Sequence, residues 1–552
     1  MTETPTRSER RLLRAASADR RLSDLWAGIR QDDGSLTASG VAVVAVGGYG
    51  RRELSPRSDL DVVLLARDGH DVGALTELAK RLWYPLWDAK VSLDHALRTQ
   101  SELRQAAAED LRVAFGLLDA RHVAGDAAVT MSSRTQLRAD WRQGAKRRLP
   151  LAAAMTRERW ARFGDLASST TPDLKEAHGG LRDLTAMRAL LATWLVDVPS
   201  AELDRLTADL LEVRDALHET TGRRSDRLVA DFGAEVASRV GLPGVEALRQ
   251  RVVATGKRIA HLASVSLRDV DWLLTPPRSS GSRRPALEPI TANLAVHRGH
   301  VVLSERAEPR REPLLALRAA ESAASRGLGL ADSAAARLGR KCANLPEPWP
   351  TQARDLLVSL LGSGPALVDV WATLDQYGVI DAWFPEWDQV RHLAPQSAVH
   401  RFTVDRHLVQ TCVEVSSSLS EVQRPDLLLM AALLHDIGKG QPGDHSDAGA
   451  PIAESVVRRL GWDPGDVAMV RRLVRHHLLL VEVATSQDLE SPAVLRRVAA
   501  AVEDRDGLDL LAVLTRADAF ATGPKAWSPW REQLVTGLTE RVRTKLPERV
   551  GR

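Results

Sequence analysis

The 552-residue sequence predicts a mostly helical α+β fold, and three observations support this prediction. Short apolar runs rich in valine, which are typical of strands, are concentrated between residues 41 and 93. Most of the remaining chain repeats leucine, alanine and valine at the spacing of amphipathic helices. The apolar fraction of 44% and the charged fraction of 27% are normal for globular proteins, so we expect folded domains rather than wholesale disorder.

Changes in composition divide the chain into four predicted regions. Residues 1–140 contain the strand signals after an N-terminal helix, and residues 141–275 form a helical region interrupted by the segment TPDLKEAHGGLRD. Residues 276–395 begin as a linker rich in proline, serine and glycine and continue as a helical connector. Residues 396–545 are predicted to form an all-α domain. A chain of this length has room for three or four ordinary cores.

Composition excludes several classes of protein. No apolar run reaches the roughly 20 residues that a membrane-spanning helix needs, so we expect no membrane segment. The two cysteines, Cys342 and Cys412, are far apart, which argues against a disulfide framework and favours the reducing cytoplasm. The net charge of +3 is small for this length, so we expect no nucleic-acid partner whose affinity depends on many phosphate contacts.

The segment VAVVAVGGYGRRELSPRSDLDVVLL, residues 41–65, places two carboxylates beside a glycine turn. Gly47 and Gly48 end the first strand at a point where the backbone can approach a phosphate closely. Asp59 and Asp61 are predicted to share one face of the next strand, because side chains alternate with a period of two residues. Adjacent like charges repel unless a cation neutralises them, and carboxylate oxygens favour Mg²⁺ or Mn²⁺. This arrangement is suited to nucleotidyl transfer.

The paired glycines followed by Ser-Asp-Leu-Asp resemble the DNA polymerase β-type nucleotidyltransferase superfamily. In that superfamily a third carboxylate comes from a later strand. Asp94 is the candidate here, on a strand that we expect to enter a turn and whose face it shares with Ser92. The resemblance implies that Asp94 activates the incoming hydroxyl. It also implies that triphosphate oxygens are bound by Gly47, Gly48 and Ser58, with Arg51 or Arg52 adding charge.

Histidines and aspartates form a second pattern between residues 400 and 530. His435 and Asp436 end an apolar helix, and Asp518 follows Leu514 by four residues on another apolar face. A buried carboxylate needs a cationic partner, and histidines from neighbouring helices favour a metal ion over an arginine.

The order of these residues resembles the HD phosphohydrolase superfamily. The resemblance implies a divalent metal that activates water against a phosphoester, held by His407, His435, Asp436 and Asp518. Auxiliary roles at a second metal or at the leaving oxygen are predicted for His445, His476 and His477. Lys439 is predicted either to face the substrate phosphate or to cap a helix C-terminus.

The order of the two patterns separates the families that combine them. The bifunctional guanosine tetraphosphate enzymes carry the HD domain first, and the tRNA CCA-adding enzymes have other residues after the paired glycines. The full set of motifs, from about residue 40 to 540, resembles the family of PII uridylyltransferases and uridylyl-removing enzymes. The resemblance rests on long segments, among them GGYGRREL, DLKEAHGGLRD, HDIGKGQPGDHS and LTRADAFATGPKAWSPW.

This resemblance implies that UMP is transferred from UTP to a tyrosine of the nitrogen-regulatory PII protein and is removed hydrolytically at the HD site. Three alternatives remain open: adenylylation of PII with ATP, a CCA-type nucleotidyltransferase, and a non-catalytic scaffold that binds PII. Members of the family continue into paired ACT modules that sense glutamine, whereas this sequence stops at Arg552. We therefore expect a chain that lacks this sensor.

Overall fold

The computed structural model describes residues 5–33, 39–169, 171–274, 287–393, 402–523 and 525–547. The chain divides into two compact units, Met1–Pro276 and Pro277–Arg552. Helices dominate both units, and each unit contains one four-stranded sheet, so the predicted mostly helical α+β class is confirmed. Among the helices of the described ranges, none combines the length and the apolar character needed to cross a membrane.

The first unit contains four strands and a larger set of helices. The strands are β1 (Val41–Ala45), β2 (Leu60–Ala66), β3 (Leu93–Thr99) and β4 (Arg121–Gly125). The helices are α1 (Arg7–Asp32), α2 (Gly47–Gly50), α3 (Val72–Asp88), α4 (Gln100–Glu109), α5 (Leu111–Leu118), α6 (Ala127–Gln143), α7 (Ala145–Phe163), α8 (Leu181–Leu191), α9 (Ser200–Thr221), α10 (Ala230–Arg239) and α11 (Val245–Leu274).

The first sheet has the strand order β3-β2-β1-β4 and is buried on both faces near its centre. Strand β1 pairs antiparallel with β2 and β4, whereas β2 pairs parallel with β3. Alternate residues enter two different cores, as the period of two requires: Val62 and Leu64 pack in one, Val63 and Leu65 in the other. Asp61 therefore shares its face with Val63 and Leu65, as the alternation predicts.

Two strand predictions in this unit need correction, and one strand was missed. Asp59 was expected on the same strand as Asp61, but β2 begins one residue after Asp59, at Leu60. The strand carrying Asp94 does not enter a turn there, because β3 begins at Leu93 and continues to Thr99. Strand β4 was not predicted, and its pairing with β1 is irregular, with a register shift between Val43 and Val44. A five-residue edge strand with the sequence RHVAG carries little periodic signal, so the alternation rule does not find it.

Helices α7 to α11 form a core of their own beside the sheet. This core contains leucines from four of these helices, among them Leu149, Leu184, Leu210 and Leu262. The predicted division into four regions stays a prediction. Its boundaries near residues 276 and 396, and most of the predicted linker, lie outside the described residues.

The second unit begins with a small sheet and continues as helices. Its strands are β5 (Glu288–Pro289), β6 (Leu294–His297), β7 (His300–Leu303) and β8 (Gly329–Leu330). Its helices are α12 (Leu315–Ser325), α13 (Asp332–Lys341), α14 (Thr351–Leu361), α15 (Ala366–Gln376), α16 (Val379–Trp383), α17 (Val404–Ser416), α18 (Pro425–Leu434), α19 (His445–Arg459), α20 (Pro464–Arg475), α21 (Leu479–Ser486), α22 (Pro492–Val502), α23 (Arg505–Thr522) and α24 (Pro529–Arg543).

Helix α18 lies at the centre of the helical part of this unit. All its residues from Leu427 to Leu434 are buried, because its sequence LLLMAALL is apolar on every side. Helices α17, α19, α20 and α23 pack against it. A helix that is buried all around gives the residues at its C-terminal end a fixed position, and His435 and Asp436 follow this helix directly.

Two candidate active sites

Three carboxylates converge at one end of the first sheet, and we call them the acidic cluster: Asp59, Asp61 and Asp94. Asp61 on β2 lies directly opposite Asp94 on β3 in the parallel register. Asp59 precedes the first residue of β2 and is not part of the strand. Strand pairing thus fixes the relative positions of two carboxylates, while the third depends on its side-chain contacts.

Those contacts hold Asp59 on both sides. The Ser92 hydroxyl donates a hydrogen bond of 2.5 Å to Asp59 Oδ1, and Arg224 forms an ion pair with Asp59 Oδ2. The amide of Leu60 donates to the Ser92 carbonyl at 2.9 Å, which keeps this serine beside the start of β2. Ser92 therefore orients a carboxylate. Arg224, which follows α9, is a site residue that sequence reasoning missed.

The electrostatics of the acidic cluster favour a bound cation. Burial raises the pKa of Asp61, and the neighbouring carboxylates of Asp94 and Asp59 raise it further, to about 6. Lys175 and Arg182 act in the opposite direction and lower this pKa. A hard divalent cation would relieve this repulsion. Among the described residues, however, the three carboxylates do not form a group whose ligand atoms all lie within 4.8 Å of one another.

The glycine turn closes over the acidic cluster. Gly47 has a φ of +56°, and a Cβ atom at this position would lie 3.0 Å from Asp61 Oδ2. The amide of Val46 donates to the Asp61 carbonyl at 3.0 Å, which ties the turn to β2. Around Gly48, in contrast, there is open space. The absence of side chains here keeps the approach to the carboxylates free.

The predicted phosphate-binding residues have different environments. The Ser58 hydroxyl accepts a hydrogen bond of 3.2 Å from Arg214, so it lies next to a cation. Arg51 is held instead by two carboxylates, with 2.7 Å from Nε to Glu53 and 2.5 Å from Nη1 to Asp119. Arg51 is thus paired with two carboxylates, and its role in phosphate binding stays a prediction. Arg52 is exposed.

The second candidate site lies in the second unit, and we call it the His/Asp cluster: His407, His435, Asp436 and Asp518, with His445, His477 and Lys439 beside them. His407 comes from α17 and Asp518 from α23. Nε2 of His407 lies 2.9 Å from Asp518 Oδ1 and 3.1 Å from His435 Nε2. Nε2 of His435 lies 3.5 Å from Asp436 Oδ2. The four residues predicted from the order of the motifs are thus brought together.

Hydrogen bonds to the main chain orient two of the imidazoles. Nδ1 of His435 lies 3.0 Å from the Ala432 carbonyl, and Nδ1 of His477 lies 2.8 Å from the Val474 carbonyl. A proton on Nδ1 satisfies each carbonyl and leaves Nε2 with its lone pair, which is the tautomer that binds a metal ion. Both Nε2 atoms point toward Asp436.

The donor set of this cluster fits a divalent metal. His407, His435 and Asp436 offer ligand atoms within 4.8 Å of one another, and so do Asp436, His445 and His477. Asp436 Oδ1 is buried and has no hydrogen-bond partner, whereas its Oδ2 is bonded to Lys439 Nζ at 2.5 Å. A buried carboxylate oxygen without a hydrogen bond is costly unless a cation binds there.

Charge within the His/Asp cluster is strongly coupled. Burial acts to lower the pKa of His435, but the adjacent carboxylates of Asp436 and Asp518 raise it to about 10. Burial acts to raise the pKa of both aspartates, yet the imidazoles hold both pKa values well below the usual range. The two carboxylates therefore favour a positive charge at this position. A divalent metal ion bound here supplies such a charge.

His476 does not join this cluster. Among the described residues that offer metal-ligand atoms, it belongs to neither group of close donors, while its neighbour His477 belongs to one. Burial and the guanidinium groups of Arg475 and Arg472 lower the pKa of His476. His477 is almost completely buried and lies next to Asp436, whereas His476 is half-buried, and the sequence alone does not reveal this difference.

Two family models match this chain, each over a different part of it. The family model described as HD domain matches residues 404–523, which include α17 to α23 and the whole His/Asp cluster. The family model described as GlnD PII-uridylyltransferase matches residues 151–267, which include most of helices α7 to α11.

Relatives match across both units. A protein of Streptomyces coelicolor is 48% identical over 91% of this chain, one of Mycobacterium tuberculosis is 41% identical over 95%, and one of Corynebacterium glutamicum is 34% identical over 93%. Each is named bifunctional uridylyltransferase/uridylyl-removing enzyme. The chain covers 62%, 66% and 74% of these proteins, respectively, so it spans about two thirds of their length.

Proposed function

Because this chain belongs to the bifunctional uridylyltransferase/uridylyl-removing enzyme family, we propose that it adds a uridylyl group to the PII protein and removes it again. Transfer is assigned to the acidic cluster and removal to the His/Asp cluster. The observation that carries this proposal is that each unit places candidate side chains together, Asp61 opposite Asp94 in the first and His407 beside Asp518 in the second, in a chain whose relatives are named for two opposed activities.

In the transfer reaction, a tyrosine hydroxyl of PII attacks the α-phosphorus of UTP. A new O–P bond forms, the bond to the bridging oxygen breaks, and pyrophosphate leaves. Asp59 and Asp61 are the proposed ligands of Mg²⁺ or Mn²⁺, which when bound stabilises the charge that develops on the phosphoryl oxygens. Asp94, directly opposite Asp61, accepts the proton of the hydroxyl. Gly47 leaves room for the phosphate beside Asp61.

In the removal reaction, water attacks the phosphorus of the uridylyl-tyrosine bond. The P–O bond to tyrosine breaks, UMP leaves, and the tyrosine oxygen regains a proton. His407, His435, Asp436 and Asp518 are the proposed ligands of a divalent metal, which when bound lowers the pKa of water. Lys439 holds Asp436 Oδ2, and His445 and His477 lie 3.5 Å from Oδ1 of the same carboxylate.

The test measures incorporation of labelled UTP and labelled ATP, separately, into purified PII by the full 552-residue chain. We expect incorporation from UTP, and we expect the label to be released as UMP when the nucleotide is withdrawn. Preferred incorporation from ATP would favour adenylylation, and incorporation into tRNA would favour a CCA-type enzyme. Binding of PII without incorporation of either nucleotide would contradict the proposal and favour the scaffold.

A further inference from the structure

The segment TPDLKEAHGGLRD lies beside the acidic cluster, although it begins 77 residues after Asp94 in the sequence. The amide of Leu174 donates to the Asp226 carbonyl at 2.8 Å, and the amide of Leu228 donates to the Pro172 carbonyl at 3.0 Å. These bonds tie the segment to the loop after α9. The same loop carries Arg224, which contacts Asp59.

The two glycines of the segment allow it to fold tightly. Gly179 has a φ of +91°, and a Cβ atom there would lie 2.4 Å from the Gly256 carbonyl oxygen on α11. A Cβ atom at Gly180 would lie 2.9 Å from the Lys175 carbonyl oxygen. Neither position accepts a side chain, because the neighbouring atoms belong to the backbone.

The side chain of Asp183 stabilises this turn. Its buried carboxylate accepts hydrogen bonds from the Gly179 amide at 2.6 Å and from Trp160 Nε1 at 2.8 Å, and it forms an ion pair with Arg159. The amide of Arg182 donates to the Lys175 carbonyl at 3.0 Å. These hydrogen bonds therefore bring Lys175 and Arg182, seven residues apart in sequence, next to each other.

Both residues belong to the segment that backbone hydrogen bonds tie to the loop of Arg224, and Arg224 contacts Asp59. Both also act electrostatically on Asp61. Arg182 is half-exposed and lies 3.2 Å from Glu176. Lys175 is partly buried, and within the described ranges its ammonium group makes no hydrogen bond or ion pair. Burial lowers its pKa, and so do the neighbouring guanidinium groups of Arg182, Arg214 and Arg224, while Asp226 acts in the opposite direction.

Besides the carboxylates of Asp61 and Asp226, three guanidinium groups act on the Lys175 ammonium, and this concentration of positive charge favours a further anion. The anion required here has to lie next to the carboxylates and their cation. In the transfer reaction proposed above, the α-phosphate occupies the carboxylate end, because attack takes place beside Asp94. The β- and γ-phosphates then extend away from the carboxylates, and positive charge at this position stabilises the pyrophosphate as it leaves.

We propose that Lys175 and Arg182 form a subsite for the β- and γ-phosphates of the nucleoside triphosphate and for the pyrophosphate product. This inference rests on the proposed transfer function and assigns a role to the helical region in it. The subsite recognises phosphate and not the base, so it contributes equally to the binding of UTP and ATP.

The test compares Lys175→Gln with wild type by calorimetric titration of the full chain with UTP, pyrophosphate and UMP, in the presence of Mg²⁺. A hydrogen bond to a charged group is lost, so we expect binding of UTP and pyrophosphate to weaken about 10- to 100-fold. UMP lacks the β- and γ-phosphates, so its affinity stays unchanged. Lys175→Arg retains the charge and is expected to recover part of the loss. Arg182→Gln is expected to show the same selectivity with a smaller effect, since Arg182 is more exposed.

Lys146→Gln is the matched control, because Lys146 is an exposed lysine of the same unit at the start of α7. It is expected to bind all three ligands as wild type does. Wild-type affinity of Lys175→Gln for pyrophosphate would overturn the subsite, and so would an equal loss of UTP and UMP binding. Chemical denaturation of each variant detects misfolding. A chain that binds pyrophosphate through Lys175 but does not modify PII would contradict the proposed function and leave the subsite standing.

Discussion

The acidic cluster and the His/Asp cluster differ in how their side chains are held. His407, His435 and Asp436 are almost completely buried, and their positions follow from helices that pack around α18. Asp94 is exposed, and Asp59 keeps part of its side chain accessible. The acidic cluster also has neighbours from outside the sheet, since Arg214, Arg224 and Lys175 come from the helical region. One site is preorganised by its own helices, and the other depends on contacts between a sheet and distant helices.

This difference predicts that each cluster supports one reaction only. Asp61→Asn is expected to reduce uridylyl transfer to background while removal stays within about twofold, and Asp436→Asn is expected to do the reverse. Asparagine has nearly the same shape as aspartate, so a loss of activity would follow from the loss of the carboxylate charge. The measurement is transfer and removal on purified PII, with bound metal quantified by mass spectrometry. Equal loss of both activities in a folded variant would contradict the assignment of two independent sites.

Within the acidic cluster, exposure separates Asp94 from the two proposed metal ligands. Asp94→Asn is expected to lower the turnover number about 100-fold and to change the affinity for UTP by less than about threefold, because a base acts chiefly in the transition state. Asp88→Asn, at an exposed aspartate of α3, is the control and is expected to behave as wild type. Normal turnover with a collapse of UTP affinity would make Asp94 a nucleotide-binding residue.

The dependence of the acidic cluster on the helical region is tested through Asp183. Asp183→Ala removes the carboxylate that pairs with Arg159 and leaves the Gly179 amide without its acceptor, while Arg159 keeps its hydrogen bond to the Glu176 carbonyl. The free energy of unfolding is therefore expected to fall by about 3–5 kcal/mol. Asp271→Ala is the matched control, because Asp271 pairs with Arg157 where both side chains are about half exposed, and less than about 1 kcal/mol is expected. Chemical denaturation measures both. A similar small loss in the two variants would show that the turn is not held by Asp183.

The difference between the two clusters also explains how much of each site the sequence predicts. Helical periodicity indicates His435 and Asp518, because a polar residue on an apolar face is conspicuous, and the resemblance to the HD superfamily implies the full set with His407 and Asp436. Strand alternation indicates the face of Asp61, whereas Asp94 was proposed from the resemblance to the polymerase β-type superfamily, on a strand that continues further than expected.

Contacts between distant segments account for what was missed. The ion pair of Arg224 with Asp59 spans 165 residues, and the hydrogen bond of Arg214 to Ser58 spans 156. No local pattern reveals such pairs, particularly in a chain rich in arginine. The neutralisation of Arg51 by Asp119 is of the same kind, since 68 residues separate them. The sequence marks the segment TPDLKEAHGGLRD as an interruption of the helical region, without indicating its neighbours in the fold.

The smallest predicted effect concerns two adjacent histidines, only one of which belongs to the His/Asp cluster. His477→Asn is expected to lower metal affinity and uridylyl removal about 10- to 100-fold, because Nε2 of His477 lies 3.5 Å from Asp436 Oδ1. Asparagine retains an amide group near the Val474 carbonyl, which limits the structural loss. His476→Asn, one position earlier and outside the group of close donors, is expected to stay within about twofold of wild type. The measurement is removal of UMP from PII together with the metal content of each variant. Equal effects of the two substitutions would show that the loss reflects local packing after α20 rather than a role of His477 at the metal.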